Sequence, residues 1–195
     1  MKTLCMDTAH RYLVLALVED GNVVALHMSQ AWKKQSETIF VELLKLMEEA
    51  KWSVEDINRV VISRGPGSYT GIRIAMSIAK VLTTRKDMDL YTVSTLQLYS
   101  GLEDVYVMLG ARSKRAYFGD ICKGALKESS IRTLDEIALL KDKKIVGDVE
   151  LIGLENSEID FVSNFVKLEP YYVKVENKHT LVPEYLKEES AYLVK

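Results

Sequence analysis

The start of the chain alternates short apolar runs with turn-forming residues, which predicts a β-meander. Apolar runs cover residues 3–7, 12–19 and 23–29. The turn sequence Asp20-Gly21-Asn22 separates the second run from the third, and Asp-Gly tolerates the left-handed backbone that a tight hairpin needs. We therefore expect three consecutive strands, with the second and third forming a hairpin.

Two helices with a 3.6-residue apolar period follow, and they alternate with two further strands. The first helix is predicted to run from an N-cap at Ser36 to about Lys51, with Glu37 in its first turn, where the helix dipole favours a negative charge. The second helix is predicted over 70–85, and the strands over 60–63 and 90–93. This order of elements predicts a mixed α/β layer domain.

The second half of the chain has a weaker pattern. It predicts strands at 105–109, 116–122, 144–147 and 165–168 and a short helix at 134–140. We place the boundary between the halves near 95–103. That region has no linker rich in Pro or Gly, so we expect the two halves to be in contact.

Composition narrows the class of protein. The 195 residues are 48% hydrophobic and 28% charged, enough to bury the core of one medium domain or two small ones. The formal net charge of −2 argues against a free-standing nucleic-acid binder. Cys5 and Cys122 are far apart and lack a CxxC pattern, which is typical of reduced thiols. We find no signal-peptide pattern and no apolar run of membrane-spanning length, so we expect a cytoplasmic protein.

A glycine-rich stretch, SRGPGSYTGIRIAMSIAK at 63–80, joins a predicted strand to a predicted helix. Such a turn can bind phosphate through free backbone N–H groups at the helix start. However, the first lysine after Gly71 is Lys80, so the GxxxxGK[ST] motif is absent, and the glycine spacing is GxGxxxG rather than GxGxxG. The residues therefore favour a rigid turn, capped by Ser68 or Thr70, over a phosphate site.

Both predicted helices carry more apolar residues than one sheet face requires. In the second helix, Gly71, Ala75 and Ala79 form a stripe of small residues with apolar side chains around it. In the first helix, Phe40, Leu44 and Met47 come in addition to the apolar face of Ile39, Leu43 and Leu46. The excess fits either contact with helices of a partner protein or a thick core within the chain. The residues alone leave both interpretations open.

Candidate catalytic residues are few. His10, His27 and His179 lack HxxxH or HExxH spacing, so no metal site is predicted. Asp7 ends the first strand and Thr8 follows it, and an acid and a hydroxyl in that position can hold magnesium and phosphate. The alternative role for Asp7 is that of an acid that caps the turn after the strand.

Several segments carry a resemblance to one family. They are LCMDTA, QSETIF and above all GPGSYTGIRIAMSIAKVL, with GARSKRAYFGDI and VPEYLK in the second half. On these segments the chain resembles the TsaB (YeaZ) family, most clearly over residues 1–100. The resemblance implies the actin-like ATPase (ASKHA) fold, which sugar kinases and heat-shock ATPases share. It implies two subdomains, 1–100 and a reduced second one at 101–195.

The resemblance also implies a function. TsaB-like proteins are non-catalytic subunits of the machinery that makes N6-threonylcarbamoyladenosine at position 37 of ANN-decoding tRNAs. The implied partners are the catalytic subunit TsaD, the ATPase TsaE, tRNA through the complex, and a second copy when the chain is alone. No cofactor is implied for this chain itself, whereas the assembled complex uses ATP and magnesium.

Carried over by position, the resemblance assigns the partner and dimer interface to one set of residues. These are Ser36, Glu37, Phe40, Leu44, Met47, Ser68, Tyr69, Thr70, Gly71, Arg73, Ile74, Ala75 and Ile78. It assigns no catalytic and no metal-binding residue, and it leaves Asp7 and Thr8 as a vestigial nucleotide site.

Two positions depart from the family pattern. Gln35 stands where relatives commonly have His, and Gly110 stands where they commonly have Asp, which removes an acid that could face Asp7 across a cleft. An alternative function from the residues is a small ATPase or phosphotransferase of the same fold that uses Asp7 and Thr8.

Overall fold

A computed structural model of the chain describes residues 1–31 and 34–186. The strands are β1 (Lys2–Asp7), β2 (Tyr12–Glu19), β3 (Asn22–Gln30), β4 (Arg59–Ser63), β5 (Asp89–Val93), β6 (Val105–Ala111), β7 (Arg115–Cys122), β8 (Ala125–Thr133), β9 (Ile145–Gly147) and β10 (Val173–Lys174). The helices are α1 (Gln35–Ala50), α2 (Tyr69–Arg85), α3 (Thr95–Ser100), α4 (Leu134–Ala138) and α5 (Phe161–Lys167).

The first sheet has six strands in the order β10-β5-β4-β1-β2-β3. Strands β1, β2 and β3 pair antiparallel, and β4 and β5 add in parallel to β1. The β2–β3 hairpin turns at Asp20 and Gly21, both with positive φ, as the Asp-Gly pair predicted. The meander, the two helices and the two parallel strands occur in the predicted order, which confirms the predicted actin-like α/β fold class.

Strands β1, β2 and β4 of the first sheet are buried on both faces, which explains why they read as continuous apolar runs. Leu4, Met6 and Leu15 face α1 and α2. Cys5 and Val14 point to the opposite face, where α3, α5 and the second sheet cover them. The sheet is therefore a central layer between the two helices and the second half of the chain.

The second sheet has four strands in the order β8-β7-β6-β9. The predicted strands at 105–109 and 116–122 are β6 and β7, and the short predicted helix and strand near 134–147 are α4 and β9. Strand β8 was not predicted, because its sequence ALKESSIRT is mostly polar and only partly buried at the sheet edge.

Two local predictions are wrong. The segment 165–168, predicted as a strand, belongs to α5 and the residue after it, because Asp160 caps the helix by accepting from the Ser163 amide. Ser36 is not the N-cap of α1. The helix starts at Gln35, with Lys34 as its N-cap two residues before the predicted one, and the Gln35 side chain donates to the His10 carbonyl oxygen at 2.9 Å.

The predicted boundary at 95–103 contains the helix α3, whose residues are all buried. Farther along, β10 pairs with β5 and returns the chain to the first sheet. The division at residue 100 remains a prediction, and residues 187–195 of the second predicted subdomain lie outside the described residues.

Candidate docking groove and interdomain cleft

An apolar groove runs between α1 and α2 on the outer face of the molecule. Its volume is about 570 Å³, and its lining comprises Ser36, Ile39, Phe40, Tyr69, Thr70, Arg73, Ile74, Ser77, Ile78, Val81 and Leu82. Phe40 is 58% exposed and Val81 is 67% exposed. Large apolar side chains of this exposure on neighbouring helices mark a surface suited to another helix or protein.

The structure places the predicted interface residues in three locations. Seven of them line the groove: Ser36, Phe40, Tyr69, Thr70, Arg73, Ile74 and Ile78. Glu37 and Leu44 are exposed on α1 outside the lining, and the Ser68 hydroxyl caps α2 by accepting from the Gly71 amide at 3.2 Å. Met47, Gly71 and Ala75 are buried within the chain.

The stripe of small residues on α2 packs inside the chain and not against a partner. A Cβ atom at Gly71 would lie 2.2 Å from the Thr8 carbonyl oxygen, and Ala75 and Ala79 are fully buried. The placement of Gly71 and Ala75 on a partner-contacting surface is therefore wrong. Each interpretation of the excess apolar residues holds for one set of them. The stripe of small residues belongs to the core of the chain, whereas Phe40, Leu44 and Val81 remain exposed.

The interface assignment from the sequence left out four groove residues, namely Ile39, Ser77, Val81 and Leu82. Their signal was present, since Val81 and Leu82 continue the row of Ile74 and Ile78 at helical spacing. Val81 and Leu82 follow Gly71 by ten and eleven residues, past Ile78, the last residue that the resemblance assigned to the interface.

The glycine-rich loop is held against its own chain. The Ser68 amide donates to the Ala9 carbonyl oxygen at 2.7 Å, and the Thr95 amide donates to the Gly65 carbonyl oxygen at 2.8 Å. A Cβ atom at Gly67 would lie 2.2 Å from the Ala9 carbonyl oxygen, so only glycine permits this approach. With the Ser68 and Gly71 amides bonded internally, the loop is a rigid support for the start of α2, as the residues favoured.

Asp7 and Thr8 are buried, and both form hydrogen bonds within the chain. Asp7 is 1% exposed and accepts hydrogen bonds from the Ser63 hydroxyl and the Ala9 amide. Thr8 is fully buried, donates to the Gly71 carbonyl oxygen at 2.6 Å and accepts from the Ala75 amide at 3.2 Å. Burial raises the pKa of the Asp7 carboxyl, and the hydrogen bonds oppose that rise only in part. Thr8 thus joins the end of β1 to α2, whereas Asp7 bonds β4 and the turn after β1, which is the structural role given above as its alternative.

A buried charge cluster closes the cleft between the two halves. Asp148 accepts from His10 Nε2 at 2.7 Å, from the Gly110 amide at 2.6 Å and from Arg11 Nη2 at 2.8 Å. Arg11 also reaches Glu150 at 2.9 Å. Burial alone would raise the pKa of Asp148, but the His10 hydrogen bond and the Gly110 and Arg11 contacts outweigh it and hold the pKa below its usual value.

Asp148 places a carboxylate directly beside Gly110. A Cβ atom at Gly110 would lie 3.1 Å from Asp148 Oδ2, so the glycine leaves the space that this carboxylate fills. Sequence reasoning missed Asp148 because it follows a strand of three residues in the weakly patterned half of the chain.

Among residues 1–31 and 34–186, no group of three or more His, Cys, Asp and Glu side chains could hold a metal ion. Within the same residues, no helix combines the length and apolar character needed to cross a bilayer.

Comparison with protein families gives a match over residues 27–146 to the model described as TsaD: tRNA N6-adenosine threonylcarbamoyltransferase. A Bacillus subtilis protein named tRNA threonylcarbamoyladenosine biosynthesis protein TsaB is 26% identical over 73% of this chain and 67% of its own length. The Escherichia coli protein of the same name is 30% identical over 62% of this chain, and the match spans about half, 54%, of its length.

Solved structures agree with the fold. The structure described as YeaZ from Pseudomonas aeruginosa superposes with a TM-score of 0.77 at 19% identity, over 95% of this chain and 99% of that one. A second Pseudomonas aeruginosa structure, described as an uncharacterized protein with similarity to peptidase YeaZ, gives a TM-score of 0.76 at 21% identity over the same shares. The two-sheet arrangement is therefore the fold of these proteins.

Proposed function

The chain belongs to the TsaD family and, within it, to the TsaB (YeaZ) proteins, and we propose that it is a non-catalytic subunit that binds TsaD. In this proposal the assembled complex adds threonylcarbamoyl to N6 of adenosine 37 in ANN-decoding tRNAs. The chain contributes a binding surface, and TsaD contributes the catalytic groups.

The observation that carries the proposal is the groove between α1 and α2. Its floor is apolar, its walls carry Phe40 and Val81, and both side chains are more than half exposed. Burying such side chains against a partner removes apolar surface from water, which is the main favourable term in association. Helices of a related protein fit a two-helix groove by ridges-into-grooves packing.

A non-catalytic role is supported by the state of Asp7 and Thr8. The Thr8 hydroxyl donates one hydrogen bond and accepts another within the chain, and Asp7 is buried beside it. A magnesium–nucleotide site at these residues would require the start of α2 to separate from β1. In the proposal this chain requires no cofactor, and ATP and magnesium are used by the rest of the complex.

Further partners follow from the same proposal. TsaE and tRNA join through the complex with TsaD. In the absence of TsaD, a second copy of the chain occupies the groove, since the same apolar surface is then available to an identical pair of helices.

Sedimentation equilibrium of the chain alone and mixed with a TsaD-type protein tests the proposal. We expect a homodimer that converts to a mixed complex with TsaD. Phe40→Asp and Val81→Asp should abolish both, because each places a charge in the apolar groove. Leu139→Asp is the matched control, since Leu139 is 82% exposed but lies outside the groove.

Two outcomes would contradict the proposal. One is an unchanged mass when TsaD is added to the wild-type chain. The other is normal complex formation by folded Phe40→Asp and Val81→Asp variants, which would remove the groove as the binding surface.

A further inference from the structure

The segment 177–186 follows α2 along its length, in the direction opposite to the helix. We call it the C-terminal strap. Lys178 Nζ donates to the Thr83 carbonyl oxygen at 2.9 Å near the end of α2. One turn earlier in the helix, Lys80 Nζ donates to the His179 carbonyl oxygen at 3.1 Å. The strap therefore lies beside the helix that forms one wall of the groove.

The strap is most firmly attached where α2 begins. The Glu184 amide donates to the Arg64 carbonyl oxygen at 2.7 Å, and Arg64 Nε lies 3.1 Å from Glu184 Oε2. These two bonds join the strap to the loop that precedes α2. They place the next residue, Tyr185, beside the first turn of the helix.

Tyr185 supports the rim of the groove. Its ring stacks on Tyr69, with ring centroids 5.3 Å apart and planes inclined by 18°. Arg73 lies over the Tyr69 ring at 5.2 Å and donates to its hydroxyl at 2.7 Å. Tyr69 and Arg73 line the groove, so Tyr185 is one contact away from the surface that a partner would touch.

We propose that the C-terminal strap holds Tyr69 and Arg73 in place for partner binding, with Tyr185 as the positioning residue. This inference rests on the proposed function of the groove. A tyrosine held by a stack loses fewer side-chain conformations on binding than a free one, so the partner binds a rim that is already ordered. The inference also gives a role to the PEY sequence at 183–185, which the sequence alone left without one.

Titration of TsaD-type protein against labelled variants tests the inference. Tyr185→Ala should weaken binding about threefold to tenfold, the usual range for loss of one aromatic pair. Tyr185→Phe should weaken binding less than Tyr185→Ala, because the stack on Tyr69 is kept and only the contact of the Tyr185 hydroxyl with Arg73 is lost. Tyr106→Ala is the matched control, since Tyr106 pairs with Phe118 at 5.2 Å in the second sheet, away from the groove.

A double-mutant cycle separates positioning from direct contact. If Tyr185 acts through Tyr69 and Arg73, then Tyr185→Ala should cause no further loss in a background that carries both Tyr69→Ala and Arg73→Ala. Equal binding by the wild type and folded Tyr185→Ala would overturn the inference while leaving the groove proposal intact, as would full additivity in the cycle. Failure of the wild type itself to bind would instead refute the proposed function.

Discussion

His10 Nε2 lies 2.7 Å from a carboxylate oxygen of Asp148, and this contact joins residues 138 positions apart in the chain. Both side chains are more than nine-tenths buried. Because a carboxylate only accepts hydrogen bonds, Nε2 carries the hydrogen in this pair. The contact connects the loop after β1 with the residue after β9, and so joins the two sheets.

Removing the Asp148 charge should destabilise the protein strongly. Asp148→Asn leaves His10 and Arg11 without their shared buried carboxylate, so we expect the free energy of unfolding to fall by about 3 kcal/mol. Urea denaturation at neutral pH measures it. Glu150→Gln is the control, because Glu150 binds the same arginine at the surface and should cost less than about 1 kcal/mol.

The Asp148 contribution should also depend on pH in one direction. Its pKa in the folded chain lies below the ordinary 3.8, so the contribution is fully present well above pH 3.8. It is lost as the pH falls through the folded-state pKa. The difference in urea midpoint between wild type and Asp148→Asn should therefore be constant near neutrality and shrink in strong acid. A difference that grows on acidification would contradict this assignment.

Local patterns were enough to predict the elements that hold the groove, but not which side of them faces outward. The 3.6-residue period located α2 to within one residue, and Ser68 was identified as a possible cap. Ala75 and Val81 are both apolar residues of α2, and the sequence does not show which of them faces inward. The close approach of Thr8 to Gly71 places Ala75 on the buried side of the helix. The contact of His10 with Asp148 depends on chain topology, to which no local pattern is sensitive.

Asp7→Asn should leave stability unchanged or raise it at neutral pH. Burial raises the Asp7 pKa, so the ionised form is disfavoured in the folded chain above that pKa. Asparagine keeps an oxygen that accepts from Ser63 and the Ala9 amide without the charge. Wild type and variant should converge as the pH falls through the folded-state pKa, because Asp7 is then neutral too.

Calorimetric titration with magnesium and ATP, applied to the wild type and to Asp7→Asn, measures whether Asp7 takes part in nucleotide binding. The structural role of Asp7 implies no difference between wild type and Asp7→Asn. Magnesium-dependent nucleotide binding by the wild type that Asp7→Asn abolishes would support the alternative function, an ATPase or phosphotransferase, against the scaffold proposal.

Gly110→Asp should destabilise this chain. Its Cβ would lie 3.0 Å from a Leu151 methyl group and 3.1 Å from Asp148 Oδ2, which brings two carboxylates together. We expect a loss about 2 kcal/mol larger than for Gly110→Ala, which tests the steric part alone. Adding Asp148→Asn to Gly110→Asp should restore part of the stability that is lost through repulsion between the two carboxylates. Equal losses for Gly110→Asp and Gly110→Ala would show that the two carboxylates do not interact.

Gly71→Ala should lower stability, opposite to the usual effect of this change within a helix. Alanine is ordinarily favoured over glycine in helices by about 1 kcal/mol. At this position the added Cβ would lie 2.2 Å from the Thr8 carbonyl oxygen, and both groups belong to backbone that cannot rotate away. Shifting α2 from β1 would also lengthen the Thr8 hydrogen bonds, so we expect a loss of about 3 kcal/mol in urea denaturation. Thr84→Ala, at an exposed position of the same helix, should be neutral or slightly stabilising. A gain in stability for Gly71→Ala would mean that α2 does not lie this close to β1. It would also contradict the interpretation of this contact as a rigid support for the groove.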